Sequence, residues 1–293
     1  MTPKKIALLT DSSADLRWDQ ARENNIFFVP LRILCEDGEY LDGVNITGPD
    51  IYQRLHNGEL PQTSLPRVED FSAKLREIFD LGYDGVIAVM LSSGLSGTYN
   101  LARILAGECA EQGYAMKVFD SVSGALGQGM TVLQLAEDIK NGMDWEELTE
   151  RRAPQLIANT YPFFSVDTLE YLARGGRIPK AAADLGKLVN LKPLVALSPE
   201  GRVAMAGKAR GLPGAYVALF KKIEELGGIN PSFAALAGYT LSTREVAPIQ
   251  TYLRDNLQQE DPLVRQIGCV IGTHAGPGAF GLAFFDKDLA LDL

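Results

Sequence analysis

The sequence predicts an α/β protein of two domains, with a parallel-sheet α/β domain over residues 1–158 and an α+β domain over residues 159–293. The first observation is the apolar run at 85–90, which is typical of a strand buried on both faces of a parallel sheet. The second is the alternation of such strands with segments of helical periodicity, which indicates βαβ units. The third is the change after residue 160 to short strands, a hairpin and single helices, which favours an α+β unit.

The elements of the first domain follow from the spacing of its apolar residues. The pattern predicts strands over residues 5–10, 26–34 with a break at Pro30, 85–90 and 115–121. It predicts helices over residues 48–57, 68–80, 99–112, 125–140 and 145–158, and a turn at 11–15 that opens a helix ending near residue 23. Residues 36–39 are typical of a hairpin turn. The helix over 125–140 has two apolar stripes, which indicates core packing on a wide face.

The second domain is predicted from shorter segments. Strands are expected over residues 161–166, 193–197, 202–207, 234–239 and 266–271, with a turn at 199–201 that makes a hairpin. Helices are expected over residues 168–173, 181–189, 214–226 and 245–256.

Charge and cysteine content exclude several classes of protein. The formal net charge of −9 argues against nucleic acid or an anionic membrane surface as the main partner. The three cysteines have no metal-type spacing and are odd in number, so they predict reduced core residues and a cytoplasmic protein. The apolar run near the N-terminus is too short for a signal peptide or a membrane span, so no integral membrane segment is expected.

The segment from Leu91 to Tyr99, Leu-Ser-Ser-Gly-Leu-Ser-Gly-Thr-Tyr, is the strongest candidate for a binding loop, and we call it the serine loop. It joins the strand at 85–90 to the next helix, where free backbone N–H groups and the positive helix end favour an anion. Its hydroxyls on Ser92, Ser93 and Ser96 are candidate ligand donors. The alternative is that Ser96 or Thr98 only caps the helix.

Two other polar segments are candidates for the same site. Thr63 and Ser64 lie between two prolines that hold the chain extended, and Thr63 is the more available donor because Ser64 precedes a helix. Asp11 and Ser12 follow the first strand, where ligands of open α/β sheets bind, although both also suit an ordinary turn and cap.

Thr273 and His274 precede a Gly-Pro-Gly sequence after the strand predicted at 266–271. A histidine held by such a constrained loop can donate a ring N–H to an anion. The alternative is a histidine whose hydrogen bonds are satisfied within the turn.

These motifs together resemble the DegV family of bacterial fatty-acid-binding proteins. The resemblance rests on Thr63-Ser64-x-Pro66, on Ser92 to Tyr99, on Leu172-x-Arg174-Gly175-Gly176-Arg177-Ile178 and on Thr273-His274-x-Gly276-Pro277-Gly278. It implies a long-chain fatty acid, such as palmitate or stearate, bound between the two domains without any cofactor or metal. It also implies a monomeric, non-catalytic subunit that presents the acid to a fatty-acid kinase, which makes an acyl-phosphate.

Two hypotheses follow for the residues themselves, one for the site that binds the carboxylate and one for the face that docks the kinase. Hydroxyls of Thr63 and Ser93 with help from His274 could supply the hydrogen bonds that a buried carboxylate needs. The kinase would dock on basic residues, for which the candidates are Lys208, Arg210, Arg174 and Arg177. The alternative for these cations is a solvated loop or a structural ion pair, with Arg177 bracing the domain interface.

Two enzyme classes remain as alternatives. A serine-dependent lipid or ester hydrolase would use the Ser92, Ser93 and Ser96 loop with His274 as its base, but the second glycine of Gly-x-Ser-x-Gly comes one position early. A phosphate-transfer enzyme would need a lysine that the serine loop lacks.

Overall fold

A computed structural model describes residues 5–183, 190–257, 259 and 262–290 of the protein. Its strands are β1 Ile6–Asp11, β2 Ile26–Val29, β3 Arg32–Cys35, β4 Gly38–Leu41, β5 Gln62–Ser64, β6 Gly85–Met90, β7 Ala115–Asp120, β8 Thr160–Ser165, β9 Leu191–Leu197, β10 Val203–Arg210, β11 Leu236–Tyr239, β12 Leu263–Gln266 and β13 Phe280–Phe285. Its helices are α1 Trp18–Glu23, α2 Gly48–His56, α3 Val68–Asp80, α4 Thr98–Glu111, α5 Ala125–Lys140, α6 Ala153–Ala158, α7 Glu170–Arg174, α8 Lys180–Ala183, α9 Gly211–Glu225, α10 Ala247–Leu257 and α11 Cys269–Ala275.

A four-stranded parallel sheet in the order β2-β1-β6-β7 forms the first layer. Its central strand β6 is buried at every residue, as its continuous apolar sequence predicts. Helices α3 and α4 pack on one face through Phe71, Leu75 and Leu105, and α5 packs on the other through Met130 and Val132. The predicted α/β architecture of the first half is therefore confirmed.

A six-stranded mixed sheet in the order β10-β9-β8-β13-β11-β12 forms the second layer. Its neighbours are antiparallel except for the parallel pair β11 and β12. Helices α9 and α10 cover one face through Leu219, Ile223 and Ile249. Helix α5 also packs against β8, β11 and β13, so its wide apolar face serves both sheets.

A small antiparallel sheet in the order β4-β3-β5 completes the described fold. The β3–β4 hairpin and the extended segment at β5 agree with the sequence predictions. All strands of the first and third sheets precede residue 159, and all strands of the second follow it. The two-domain division at 158 and 159 is consistent with this distribution and remains a prediction.

The predicted strand over residues 266–271 is wrong. Strand β12 ends at Gln266, and residues 269–275 form helix α11 instead. The short run Cys-Val-Ile-Gly is compatible with either element, and the bonds from the Gly268 and Cys269 N–H groups to buried carboxylates favour the start of a helix. Strand β13 was not predicted, although its sequence Phe-Gly-Leu-Ala-Phe-Phe is apolar and its residues are all buried.

Two other predictions differ in detail. The helix predicted over 145–158 is present, but Glu147–Arg152 is π-helical before α6 begins. The helix predicted over 181–189 lies mostly outside the described residues. Among the residues that the structure describes, no helix has both the length and the hydropathy needed to cross a bilayer.

Candidate functional site

A cavity of about 530 Å³ lies where the parallel sheet meets the six-stranded sheet. One wall comes from the loop after β6 and from the start of α5, and the opposite wall from β8 and β13. Most of the lining is apolar, and includes Leu31, Leu91, Leu126, Phe164, Ile271 and Leu282. The volume falls within the range of about 300–1,000 Å³ that is usual for small-molecule sites.

Thr63 and His274 meet at the wall of this cavity although 211 positions separate them in the sequence. The Thr63 hydroxyl lies 2.9 Å from Nε2 of His274. Strand β5 holds Thr63 opposite Ile33 of β3, and the last turn of α11 holds His274. The neighbouring Ser64 does not take part in this pair, because its hydroxyl accepts a hydrogen bond from Arg32.

The ring of His274 is neutral at physiological pH. Burial, together with the nearby Arg177 guanidinium, lowers the pKa of His274 to about 3. Its Nδ1 is buried without a hydrogen-bond partner among the described residues and faces Gly175, where a side chain would have no room. A buried N–H without an acceptor costs more than a buried lone pair, so the favoured tautomer has its proton on Nε2 and donates to Thr63. The hydroxyl proton of Thr63 is then free to donate into the cavity.

Arg177 also lines the cavity, but its guanidinium is committed to backbone carbonyls. Its Nε and Nη2 donate to the Leu95 carbonyl at 3.2 Å, and Nη1 donates to the Gly175 carbonyl. The side chain therefore connects the serine loop to the segment after α7. Burial lowers the pKa of Arg177.

The loop from Leu91 to Gly97 does not offer the free N–H groups that we expected. Every backbone N–H from Leu91 to Ser96 already donates within the protein. The carboxylates of Asp11 and Asp120, at the ends of the two strands that flank β6, accept from Leu91 and Ser93 respectively. These bonds fix the backbone from Leu91 to Ser96, so its side chains remain the candidates to bind a ligand.

The remaining candidate hydroxyls, those of the serine loop and that of Thr273 on α11, separate into two groups. Ser93 and Ser96 line the cavity, and Ser93 is exposed whereas the Ser96 hydroxyl pairs with that of Thr98. Ser92 and Thr273 are buried and do not line the cavity. The Ser92 hydroxyl donates to the Gly201 carbonyl, and that of Thr273 donates to the Cys269 carbonyl.

The residues after β1 have structural roles. Asp11 is buried, accepts from Ser13 as well as from Leu91, and caps the short 3₁₀ turn at Ser12–Ala14. The Ser12 hydroxyl accepts a hydrogen bond from the backbone N–H of Leu31. These contacts match the turn-and-cap alternative.

The basic residues do not form one cluster. Lys208 and Arg210 are exposed on β10 itself, because that strand extends to residue 210 instead of ending before a loop at 207. Arg174 is exposed and pairs with Glu170 one helical turn away. Arg177 faces the cavity, as described above, and is not part of an exposed face.

The pairing that a serine hydrolase requires is not formed among the described residues. His274 bonds to Thr63, whereas Ser92 and Ser96 bond to other groups. Because a nucleophilic serine needs a hydrogen bond to its base, this arrangement disfavours the hydrolase alternative.

Within the described part of the chain, one group of three side chains has potential ligand atoms close enough together to hold a metal ion. Cys35, Asp37 and Glu59 each offer an atom within 4.8 Å of the others. The Arg54 guanidinium lies between the two carboxylates and pairs with both, at 2.8 and 3.0 Å. A cation of the protein itself therefore already occupies the position between the two carboxylates.

Comparison with known proteins identifies the family. The family model described as "Uncharacterised protein, DegV family" matches residues 5–287. A DegV domain-containing protein of Clostridium perfringens is 36% identical over 96% of this chain and 98% of its own length. The structure of a DegV family protein from Thermus thermophilus, described as fatty acid binding, has a TM-score of 0.86 and 35% identity over 97% of this chain and 100% of that one.

A third comparison extends the likeness of the fold. The fatty acid kinase B3 protein of Streptococcus pneumoniae, solved with linoleic acid, has a TM-score of 0.86 at 19% identity over 97% of this chain and 100% of that one. From the family match and the Clostridium relative, the chain belongs to the DegV family.

Proposed function

We propose that this protein binds a long-chain fatty acid, such as palmitate or stearate, in the cavity between the sheets and presents its carboxylate to a kinase. The observation that supports this most is the asymmetry of the cavity, which is largely apolar but has the Thr63 and His274 pair at its wall. The fatty acid bound by the Thermus relative supports the same ligand class.

The apolar lining accounts for affinity. Burial of a methylene group contributes about 0.8 kcal/mol, so a tail of about sixteen carbons offers up to ~12 kcal/mol before the costs of ordering. The cavity needs no charge to retain such a tail. Phe164 on β8 and Leu282 on β13 are among the side chains available to contact it.

The head group requires hydrogen bonds, because an unpaired buried carboxylate is costly. In our proposal the Thr63 hydroxyl donates to one carboxylate oxygen while it accepts from Nε2 of His274. Ser93, which lines the same cavity, donates its hydroxyl proton to the carboxylate as well. His274 thus acts mainly by orienting Thr63.

This arrangement favours a reactive carboxylate. Arg177 lines the cavity, but Nε, Nη1 and Nη2 each direct one N–H group to the Leu95 or Gly175 carbonyl, which disfavours a bidentate pair with the ligand. A carboxylate held by neutral hydroxyls keeps more of its nucleophilicity. That property suits attack of a carboxylate oxygen on the terminal phosphorus of a nucleoside triphosphate bound to the kinase. The P–O bond to the nucleoside diphosphate breaks as the acyl-phosphate forms.

Mass spectrometry of the denatured protein after purification tests the ligand directly. We expect a fatty acid of the palmitate or stearate class, near one equivalent per chain, in the organic extract. Purified protein that contains none, and that does not take up palmitate after delipidation, would contradict the proposal.

We propose that the kinase docks beside β10. This strand is at the edge of the six-stranded sheet and carries exposed Lys208 and Arg210 two positions apart, next to exposed Met205. These cations contrast with the net charge of −9 for the whole chain and suit an acidic surface on the partner.

Charge reversal tests the docking face. The double variant Lys208→Glu with Arg210→Glu should bind palmitate normally but slow acyl-phosphate formation with the cognate kinase, and the loss should depend on salt. Lys140→Glu with Lys221→Glu is a matched control on other surfaces and changes the net charge equally. Equal turnover by the two double variants would exclude β10 as the docking site.

A further inference from the structure

A second cavity, of about 410 Å³, lies at the opposite end of helix α11 from His274. Its walls are the turn after β1, the start of α1, residues 42–48 and strand β12. It is separate in its lining from the cavity proposed to hold the fatty acid. Three buried charged side chains line it, and each has an atom without a hydrogen-bond partner among the described residues.

Two of these side chains are the carboxylates of Asp15 and Asp42, which are 8% and 3% exposed. Oδ1 of Asp15 accepts from the N–H of Gly268 at 2.9 Å, and Oδ1 of Asp42 accepts from the N–H of Cys269 at 3.2 Å. Oδ2 has no hydrogen-bond partner in either residue within the described part of the chain. Burial and the neighbouring Asp42 raise the pKa of Asp15 well above its usual range, and burial also raises the pKa of Asp42. Neither carboxylate forms an ion pair with a cation that the structure describes.

The third is Arg265, which is 9% exposed. Its Nη2 donates to Gln20 of α1 and its Nη1 to the Val264 carbonyl, while Nε has no partner. It forms no ion pair with any carboxylate that the structure describes. The guanidinium and the two carboxylates are thus anchored to different elements, α1 and the start of α11, around one cavity.

The carboxylates do not form a metal site. Within the described ranges, Asp15 and Asp42 do not belong to any group of three donor residues whose ligand atoms lie within 4.8 Å of one another. An organic cation needs no such convergence. Trp18 and Phe28 add an aromatic wall, with ring centroids 4.7 Å apart, and Trp18 is 44% exposed at the cavity.

We propose that the second cavity binds a small zwitterionic amino acid with an apolar side chain. Its ammonium group pairs with Asp15 and Asp42, and its carboxylate with Arg265. Its side chain packs on Trp18 and Phe28. This inference does not depend on the proposed fatty-acid function.

The test is calorimetric titration of the full-length protein with L-leucine and two analogues that each lack one charge. 4-Methylpentanoate lacks the ammonium group, and 3-methylbutylamine lacks the carboxylate. We expect saturable binding of L-leucine, with each analogue at least about tenfold weaker, because each lacks the group that pairs with one end of the cavity. Failure of L-leucine to bind at millimolar concentration, or equal binding of either analogue, would overturn the proposal.

Variants locate the site. Asp15→Asn and Arg265→Gln should each reduce L-leucine affinity about tenfold or more, whereas Thr149→Ala, which removes a buried hydroxyl elsewhere, should not. Protein loaded with palmitate should bind L-leucine as the delipidated protein does. Loss of L-leucine binding on loading, together with normal binding by Asp15→Asn and Arg265→Gln, would place the amino acid in the first cavity and refute the assignment. The analogue comparison on unmodified protein stands even where a variant fails to fold.

Discussion

Substitution of Thr63 by valine separates the hydroxyl from the shape of the side chain. Valine keeps the volume and the β-branching that suit β5, so no space opens for a water molecule that could replace the hydroxyl. In the proposed complex the hydroxyl donates one hydrogen bond to a charged group. Such bonds contribute about 1.5–3 kcal/mol. We therefore expect the Kd for palmitate to rise roughly 10- to 150-fold.

The change in the ligand-free protein should be small by comparison. Thr63 is only half-buried, and the substitution removes one hydrogen bond, the 2.9 Å contact with Nε2 of His274. A loss of about 1 kcal/mol shifts the Tm of a chain of this size by roughly 2–4 °C at most. The Tm therefore reports whether the variant is folded, and the Kd reports the head-group contact.

Titration calorimetry of delipidated protein with palmitate measures the effect. Thr63→Ser retains the hydroxyl and should recover most of the affinity, and Thr149→Ala controls for the loss of a buried hydroxyl far from the cavity. If Thr63→Val binds palmitate as tightly as the unmodified protein, the carboxylate does not contact Thr63. The proposed orientation of the fatty acid would then be wrong.

Three further predictions concern other residues. Ser93→Ala should weaken palmitate binding by about 1–3 kcal/mol in the same calorimetric assay, and an unchanged Kd would remove Ser93 from the head-group site. The pKa of about 3 for His274 in the folded protein lies below the usual value of 6.5. As pH falls, the unfolded chain therefore binds the extra proton before the folded protein does. The stability that the neutral ring contributes is complete above pH 6.5 and is lost as pH falls toward 3. The His274 ring resonances should therefore not titrate between pH 8 and 5, and His274→Gln should make the fall in Tm below pH 6.5 shallower; a titration midpoint near 6.5 would refute this. Arg152 and Asp138 form a buried ion pair at 2.8 Å, with side chains 0% and 4% exposed. Arg152→Ala should therefore lower the free energy of unfolding, measured by urea denaturation, by about 3–5 kcal/mol. The control Arg151→Ala removes an exposed ion pair and should change that free energy by less than about 1 kcal/mol.

The parallel sheet could be predicted from the sequence because its central strand β6 is buried at every residue. The run at 85–90 has no polar residue that would suggest another element. The helices that pack on the sheet repeat apolar residues with helical spacing. The position of Thr63 was also predictable, since the flanking prolines restrict the backbone to extended geometry. Each of these signals is local to a few residues.

The second half of the site could not be predicted in the same way. Residues 269–275 are helical because two carboxylates from residues 15 and 42 accept the first N–H groups of α11, and that contact spans more than two hundred positions. Without it, the run Cys-Val-Ile-Gly is equally suited to a strand. The inward direction of Arg177 depends likewise on the Leu95 carbonyl, which is 82 positions away.

The serine loop is important for a different reason from the one that its hydroxyls indicate. Its backbone donors are used by Asp11 and Asp120, which fix it to the parallel sheet. Two of its other bonds reach the second half of the chain, from Ser92 to the Gly201 carbonyl and from Arg177 to the Leu95 carbonyl. Because α5 also packs on both sheets, the two walls of the cavity are connected at the loop and at the helix.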